Sequence, residues 1–429
     1  MDNLLGSRMR QARRLSGLRM DEFLRRVGFS ESYVRNVENG SRPVTADIAD
    51  AYDRVLATDG TFRSAVEAID AETWDQRANL STLTNLSERS EVDLDRRGFV
   101  TATGAVLTAM GVRWASALAA TRPPIPADGT RLVGSKLLAN IDERLELLRH
   151  ADDELGSGEH AAIAHSELAF VVRLLRAGTH TEKSSRRLYS LASEAARQAA
   201  WSCFDQGRHK DAEAYFEGAL RASASAENAF AGAYALSFLA VHCYSTGQAR
   251  EAVNLIDTAQ TSLIGKATPR MAAMLSARSA RARSKAGERA DCIRDLGAAR
   301  VHLNRGPHQD DPEVLYWVTE AEIEMIAGSC ALELGDPVEA LRRFDAAIAA
   351  DYRSDDQYLR SAAIYLARAA EAHLALHDLD AAVARARHAV RCLSSVDSAR
   401  SSSTLAGLRK KLEVHRASPV AREFLESAA

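Results

Sequence analysis

Proline and glycine are scarce in this chain, 9 and 24 of 429 residues, which removes most of the punctuation that sheets and long loops need. With alanine abundant, what remains favours helix nearly everywhere. A dominant charge is also missing. The formal net charge is -3, so there is no global basic field for nucleic acid, and any DNA contact must rest on local charge. Lysine is rare, standing only at Lys136, Lys183, Lys210, Lys266, Lys285, Lys410 and Lys411. That skew toward arginine is compositional and by itself says nothing about phosphate binding. Cys203, Cys243, Cys292, Cys330 and Cys392 lie at least 38 residues apart. This excludes the short spacings of zinc knuckles and redox CxxC motifs, and leaves buried thiols in a reducing cytoplasm as the expectation. The start, MDNLLGSRMRQARR, has no apolar signal region, so a cytoplasmic protein is expected.

Catalytic constellations are missing as well. Glu159, His160 and His165 in GSGEHAAIAH do not have the HExxH spacing, and Gly156 and Gly158 lie in no strand-to-helix context. No enzyme activity, cofactor or metal is expected. What the chain does have is 46% hydrophobic and 26% charged residues, enough to fold, over a length that exceeds one compact core.

The first segment, 1–70, reads as short punctuated helices. Leu4, Leu5, Met9, Ala12 and Leu15 make one apolar stripe at helical spacing, ending at Gly17. Met20, Phe23, Leu24 and Val27 make a second, closed by Gly28. Ser30 is a good N-cap for a third helix with Tyr33, Val34 and Val37 inward, and Asn39-Gly40 ends it. Thr45 or Asp47 opens a fourth through Ile48, Tyr52 and Leu56. Two short helices across Gly28-Phe29-Ser30 are the geometry that sets a recognition helix into a major groove. Local charge agrees, because nine arginines between Arg8 and Arg42 outnumber the acids of residues 1–45.

The stretch GLRMDEFLRRVGFSESYVRNVENGSRPV resembles the XRE-family (lambdoid-repressor-like) helix-turn-helix across the whole motif. The resemblance implies that Glu31, Ser32, Arg35 and Asn36 occupy the base-reading face, and that Arg19, Asn39 and Arg42 touch phosphates or the groove rim. It also implies that Glu38 pairs structurally with Arg13. The chain departs from the family at Arg19-Met20, where Thr-Gln is usual. Met20 cannot donate the family's hydrogen bond to DNA, so that clamp is lost or replaced by Arg19.

Residues 71–130 read as a linker. DRRGFVTATGAVLTAMGVRWASALAA places Arg96-Arg97 before an apolar run and so imitates a twin-arginine signal. Its internal position and Arg113 within the run favour a connecting helix packed on the C-terminal segment, not a membrane segment.

Residues 131–429 hide a repeat. On alignment at Gly207, Gly247, Gly287, Gly335 and His377, small residues recur seven positions earlier at Ala200, Ala240, Ala280, Gly328 and Ala370. Twelve positions later stand Ala219, Ala259, Ala299, Ala347 and Ala389. Small residues at joint offsets mark antiparallel helices crossing closely, with the glycine in the turn between them. This is the tetratricopeptide pattern, here with spacings of 40, 40, 48 and 42. An earlier degenerate hairpin is expected over 131–177, with Leu137, Ile141, Leu145 and Leu148 in its first stripe, and capping helices from Leu405 to Leu425.

The predicted fold is all-α, a lambda-repressor-like helix-turn-helix followed by a tetratricopeptide-like α-solenoid. The layout resembles actinobacterial XRE-type regulators with C-terminal tetratricopeptide arrays, akin to the RRNPP group. First helices of such repeats line a concave groove, which would hold Glu194, Arg197, Trp201, Phe204, Tyr234, Tyr244, Arg281 and Lys285 as an effector site. RRNPP regulators hold peptide backbones with asparagines, and the matching positions here are Gln198, Phe238, Arg278, Ile326 and Arg368. The expectation is a homodimeric regulator that binds double-stranded operator DNA and senses a small-molecule or peptide effector. The alternative is an interaction adaptor with a weak DNA-binding head.

Overall fold

The computed structural model of the protein describes residues 2–39, 41–42, 44–58, 60–63, 65–66, 76–88, 104–119, 131–152, 157–350, 359–393 and 399–427. Among these the chain is helical throughout, apart from one parallel strand pair of two residues each, Arg131–Leu132 beside Gly178–Thr179.

The N-terminal head packs α1 (Asp2–Leu15), α2 (Met20–Val27), α3 (Glu31–Glu38) and α4 (Ala46–Leu56) around one small core. Met9, Phe23, Val34, Val37, Ile48 and Tyr52 fill it, and Phe62, Ala65 and Val66 close it. Gly28 ends α2 with φ of 80°, a left-handed conformation that glycine adopts without a steric penalty. Gly6 lets α1 approach α3, since a Cβ there would lie 2.0 Å from the Val37 carbonyl oxygen. Leu15 leaves the expected stripe and is exposed, because α1 ends there before any neighbour covers it.

The remaining helices form one packed array. After α5 (Gln76–Ser87) and α6 (Gly104–Ala119) come α7 (Ser135–Ala151) and α8 (Ser157–Ala177). Five hairpins follow: α9 (Glu182–Asp205) with α10 (His209–Ser225), α11 (Ala229–Ser245) with α12 (Ala249–Ser262), and α13 (Pro269–Lys285) with α14 (Arg289–Leu303). Then come α15 (Glu320–Glu333) with α16 (Pro337–Ala349), and α17 (Leu359–Ala375) with α18 (Leu379–Leu393). Helices α19 (Ala399–Leu412) and α20 (Pro419–Ser427) finish the array.

The repeat positions fall on the turns of these hairpins. Gly207, Gly247, Gly287 and Gly335 all have positive φ, and His377 takes the same left-handed conformation at 61°. Ala200, Ala240, Ala280 and Ala370 are buried completely, and Gly328 makes room for the Phe344 ring, which a Cβ would meet at 2.5 Å. The 48-residue spacing corresponds to a longer connection, 304–319, between α14 and α15. In the degenerate hairpin Leu138 joins Ile141, Leu145 and Leu148 in the core, and Leu137 packs against it half-buried.

Helix α6 packs on α10, α11 and α12. Trp114 is wholly buried and its Nε1 donates to Ser223 Oγ at 2.9 Å. Gly232 leaves the space for that indole, because a Cβ there would stand 2.2 Å from the ring. Leu83 and Leu86 of α5 are buried in the same core, and Asn79 donates to Ser225 across 2.8 Å. No helix among the described residues is long and apolar enough to cross a membrane. Arg96, Arg97 and Pro123 to Pro126 lie outside the described residues.

Candidate functional site

In the head, Ser30 caps α3 by accepting from the Tyr33 backbone N–H at 3.3 Å, which fixes where the recognition helix begins. Glu31, Ser32 and Arg35 are exposed on it and Asn36 is half-buried. Arg35 places Nε and Nη2 on Glu31 Oε1 at 2.8 and 2.6 Å, so one turn of helix holds its fork in the free protein. Asn39 accepts from Arg10 at 3.4 Å, Arg42 stands over the Tyr33 ring at 5.4 Å, and Arg19 is exposed at the start of α2, 3.3 Å from Asp21. Glu31, Ser32, Arg35 and Asn36 thus lie on α3 itself with Asn39 and Arg42 just beyond its end, while Arg19 stands at the start of α2.

Glu38, on the opposite side of α3, is 2% exposed and receives a bidentate fork from Arg13 at 2.7 and 2.8 Å. Tyr52 of α4 donates to the same carboxylate at 2.8 Å, a third member that helical spacing alone did not reveal. The hydrogen bond to Glu38 raises the Arg13 guanidinium above its ordinary value, and burial followed by the Glu38 charge does the same for the Tyr52 phenol. The triad ties α1, α3 and α4 together and fixes the recognition helix.

The first helices of the hairpins line a half-open cavity of about 1020 Å³. Among the expected residues Arg197, Trp201, Phe204, Tyr234, Tyr244, Arg281 and Lys285 line it. Glu194 does not. It stands behind the wall, accepting from Arg197 at 2.9 and 3.0 Å, from Arg149 at 3.2 Å and from Gln198 at 2.9 Å. Burial pushes its carboxyl up, but Arg197 and Arg149 override that and hold it at about 2. Its role in the fold is to neutralise the buried Arg197 and the half-buried Arg149.

The five groove positions Gln198, Phe238, Arg278, Ile326 and Arg368 all line the cavity. Trp317, Tyr316 and Tyr365 were not foreseen. Trp317 comes from the long 304–319 connection, where its Nε1 donates to Tyr234 Oη at 3.1 Å, and Tyr234 donates in turn to the Val314 carbonyl at 3.1 Å. The extra residues in the 48-residue spacing were the available signal. Beside the cavity, the buried thiols of Cys292 and Cys330 share a hydrogen bond although 38 residues separate them. Burial raises Cys330, but Cys292 and then Arg281 outweigh it and hold that thiol below its ordinary value. Among the described residues no group of three or more His, Cys, Asp or Glu could hold a metal ion.

A buried joint connects the head to the array. Arg8 of α1 is 8% exposed and shares a cleft with Asp257 of α12 and Arg283 of α13. Burial lowers the Arg8 guanidinium to about 10, against the pull of Asp257 and Glu251. Asp257 accepts from Arg283 at 3.2 Å and from Gln11 of α1, yet burial still raises its carboxyl.

Residues 4–66 match the family model described as a helix-turn-helix domain, which covers the four head helices and the turn that sets α3. No curated protein matches the chain. The protein therefore carries an N-terminal helix-turn-helix of the DNA-binding class, followed by a packed helical array.

Proposed function

We propose that the protein is a sequence-specific DNA-binding transcriptional regulator whose tetratricopeptide-like array senses an effector in its concave cavity. One observation carries this reading: α13 serves both sites. Its Arg278, Arg281 and Lys285 line the cavity, while its Arg283 grips Asp257, against which Arg8 of the head is buried. A ligand that moves α13 therefore acts on the residues that seat the head. The recognition face stays exposed with the head seated, so the joint would act on head orientation and not by covering α3. A single helix-turn-helix reads about half a site, so the working form is a homodimer on a two-fold operator. Arg35 and Asn36 read bases, and Arg19, Asn39 and Arg42 hold the backbone.

Selection from a random duplex library by the full chain tests this. The expected product is an inverted repeat with half-sites about one helical turn apart, bound roughly a thousandfold or more tighter than its scrambled version at equal salt. No enrichment, together with a protein partner held by the array, would overturn it in favour of the adaptor reading. Arg8→Ala should change operator affinity in the full chain although Arg8 faces the array. An unchanged affinity would remove the joint from the mechanism.

A further inference from the structure

We propose that the concave cavity is a receptor for a small aromatic carboxylate, a planar apolar body bearing an acidic group that arginine edges clasp. The inference rests on the sensing reading and deepens it by naming the ligand class.

Positions 278, 281 and 285 lie three and four residues apart on α13, so Arg278, Arg281 and Lys285 project from one face into the cavity, where Arg368 of α17 joins them. Acids beside them are few. Glu333 alone serves both Lys285, at 2.7 Å, and Arg281, at 3.5 Å. Glu322 accepts from the Tyr365 hydroxyl at 2.8 Å. Arg278 has no carboxylate partner among the described residues, and its Nε is buried without a hydrogen bond. The Nε of Arg281 is likewise unpartnered, on a residue only 4% exposed. Burial and then Arg281 push the Lys285 ammonium below its ordinary value, and Arg368 adds to that against Glu333. Like charges held this close in a half-closed cavity call for an anion.

The way the guanidinium groups are held selects the kind of anion. Arg278 lies over the Trp317 ring at 4.9 Å and the Phe238 ring at 5.7 Å, Arg281 over Tyr244 at 5.7 Å, and Arg368 over Tyr365 at 5.9 Å. A guanidinium laid on a ring commits its face to the π-system and its N–H edge to acceptors. Arg281 already gives edge groups to Ser284 at 2.9 Å and to Glu333, and Arg368 gives one to Ser329 at 2.7 Å, so Arg278 is the group that points to a planar carboxylate. Phe238 is itself buried under Arg197 and Arg278, and the half-buried Trp201, Tyr316 and Trp317 of the lining supply the aromatic surface for a flat body. The cavity of about 1020 Å³ far exceeds an inorganic anion. A side-chain amide pairs with both the N–H and the C=O of an extended peptide and so favours one. The one amide in the wall, Gln198, already donates to the Leu145 carbonyl and to Glu194.

The test is calorimetric titration of the full chain, without DNA, using 2-naphthoate and its neutral isostere 2-naphthamide. Naphthoate is expected to bind about tenfold or more tightly than the amide, the discrimination of charge-assisted hydrogen bonds. Arg278→Gln should abolish that difference between the two probes, and Arg278→Lys should restore part of it. If Arg278→Gln does not fold, Arg368→Gln carries the same expectation. Equal binding of the two probes, or binding of neither, overturns the proposal. Displacement of naphthoate by inorganic phosphate at equal concentration would reduce the site to a simple anion hole and also overturn it. So would tighter binding of an acidic hexapeptide, which would assign the cavity to peptides. Naphthoate binding that leaves operator affinity unchanged would sink the sensing reading and leave the ligand class standing.

Discussion

The recognition face and the cavity wall hold their arginines in opposite ways. Arg35 is exposed and bonded to Glu31 one turn away on its own helix. Such a pair forms and breaks at little cost, because water screens both charges. Arg197 and Arg281 of the cavity are buried, stacked on rings and tied to acids that serve two cations each. Charges out of water need partners, so a buried acid supports the structure of several neighbours at once. Exposed pairs can be released for a ligand, whereas buried ones determine where the wall stands.

The contrast is tested most severely by removing a shared buried acid. Glu194→Ala strands Arg149 and Arg197, and Glu38→Gln strands Arg13 and weakens the Tyr52 bond. Each should cost on the order of 3–5 kcal/mol in urea unfolding of the full chain. Unchanged unfolding of Glu38→Gln with lost DNA binding would make Glu38 a DNA contact instead of a structural anchor.

Acid should find a second buried group. His242 is fully buried beside His209, with Glu213 at 3.9 Å, and burial followed by His209 pushes its imidazole down to about 4. An unfolded histidine takes up a proton near pH 6.5. The unfolded chain therefore binds that proton first as pH falls. The stability from this site is whole above about 6.5 and is lost progressively toward pH 4, by roughly 3 kcal/mol. His242→Phe should flatten that part of the profile of urea midpoint against pH, and an identical slope in variant and wild type would reject the assignment.

On the recognition face, Arg35→Ala or Asn36→Ala should cost about 1–3 kcal/mol on the selected operator and little on random DNA. Equal losses on both would show that these side chains do not read bases. The smallest effect belongs to Glu31→Gln, which frees Arg35. Unfolding should change by no more than about 0.5 kcal/mol, the value of an exposed pair one turn apart. A loss comparable to Glu194→Ala would break the comparison.

Much of this was legible because it depends on local spacing. Gly207, Gly247, Gly287, Gly335 and His377 marked the turns, since a hairpin needs one left-handed residue where the chain reverses, and small residues at fixed offsets result from two helices crossing closely. Tyr52 was visible as an inward residue of α4, but its bond to Glu38 depends on how α4 crosses α3, which no spacing encodes. The stripe containing Trp114 was readable as apolar. That it lies over Gly232, 118 residues later, was not, because a missing side chain matters only where another element fills the gap.

The sequence by itself determined the helical class, the capped recognition helix, the hairpin turns and the helices that line a concave face, because each depends on interactions within a few residues along the chain. Only the tertiary structure decided which charges share a partner. It placed Glu194 behind the wall, brought Trp317 over Arg278 and Cys330 against Cys292, and buried Arg8 across from Asp257. Those outcomes depend on packing between distant segments, where the removal of water makes the position of each charge matter.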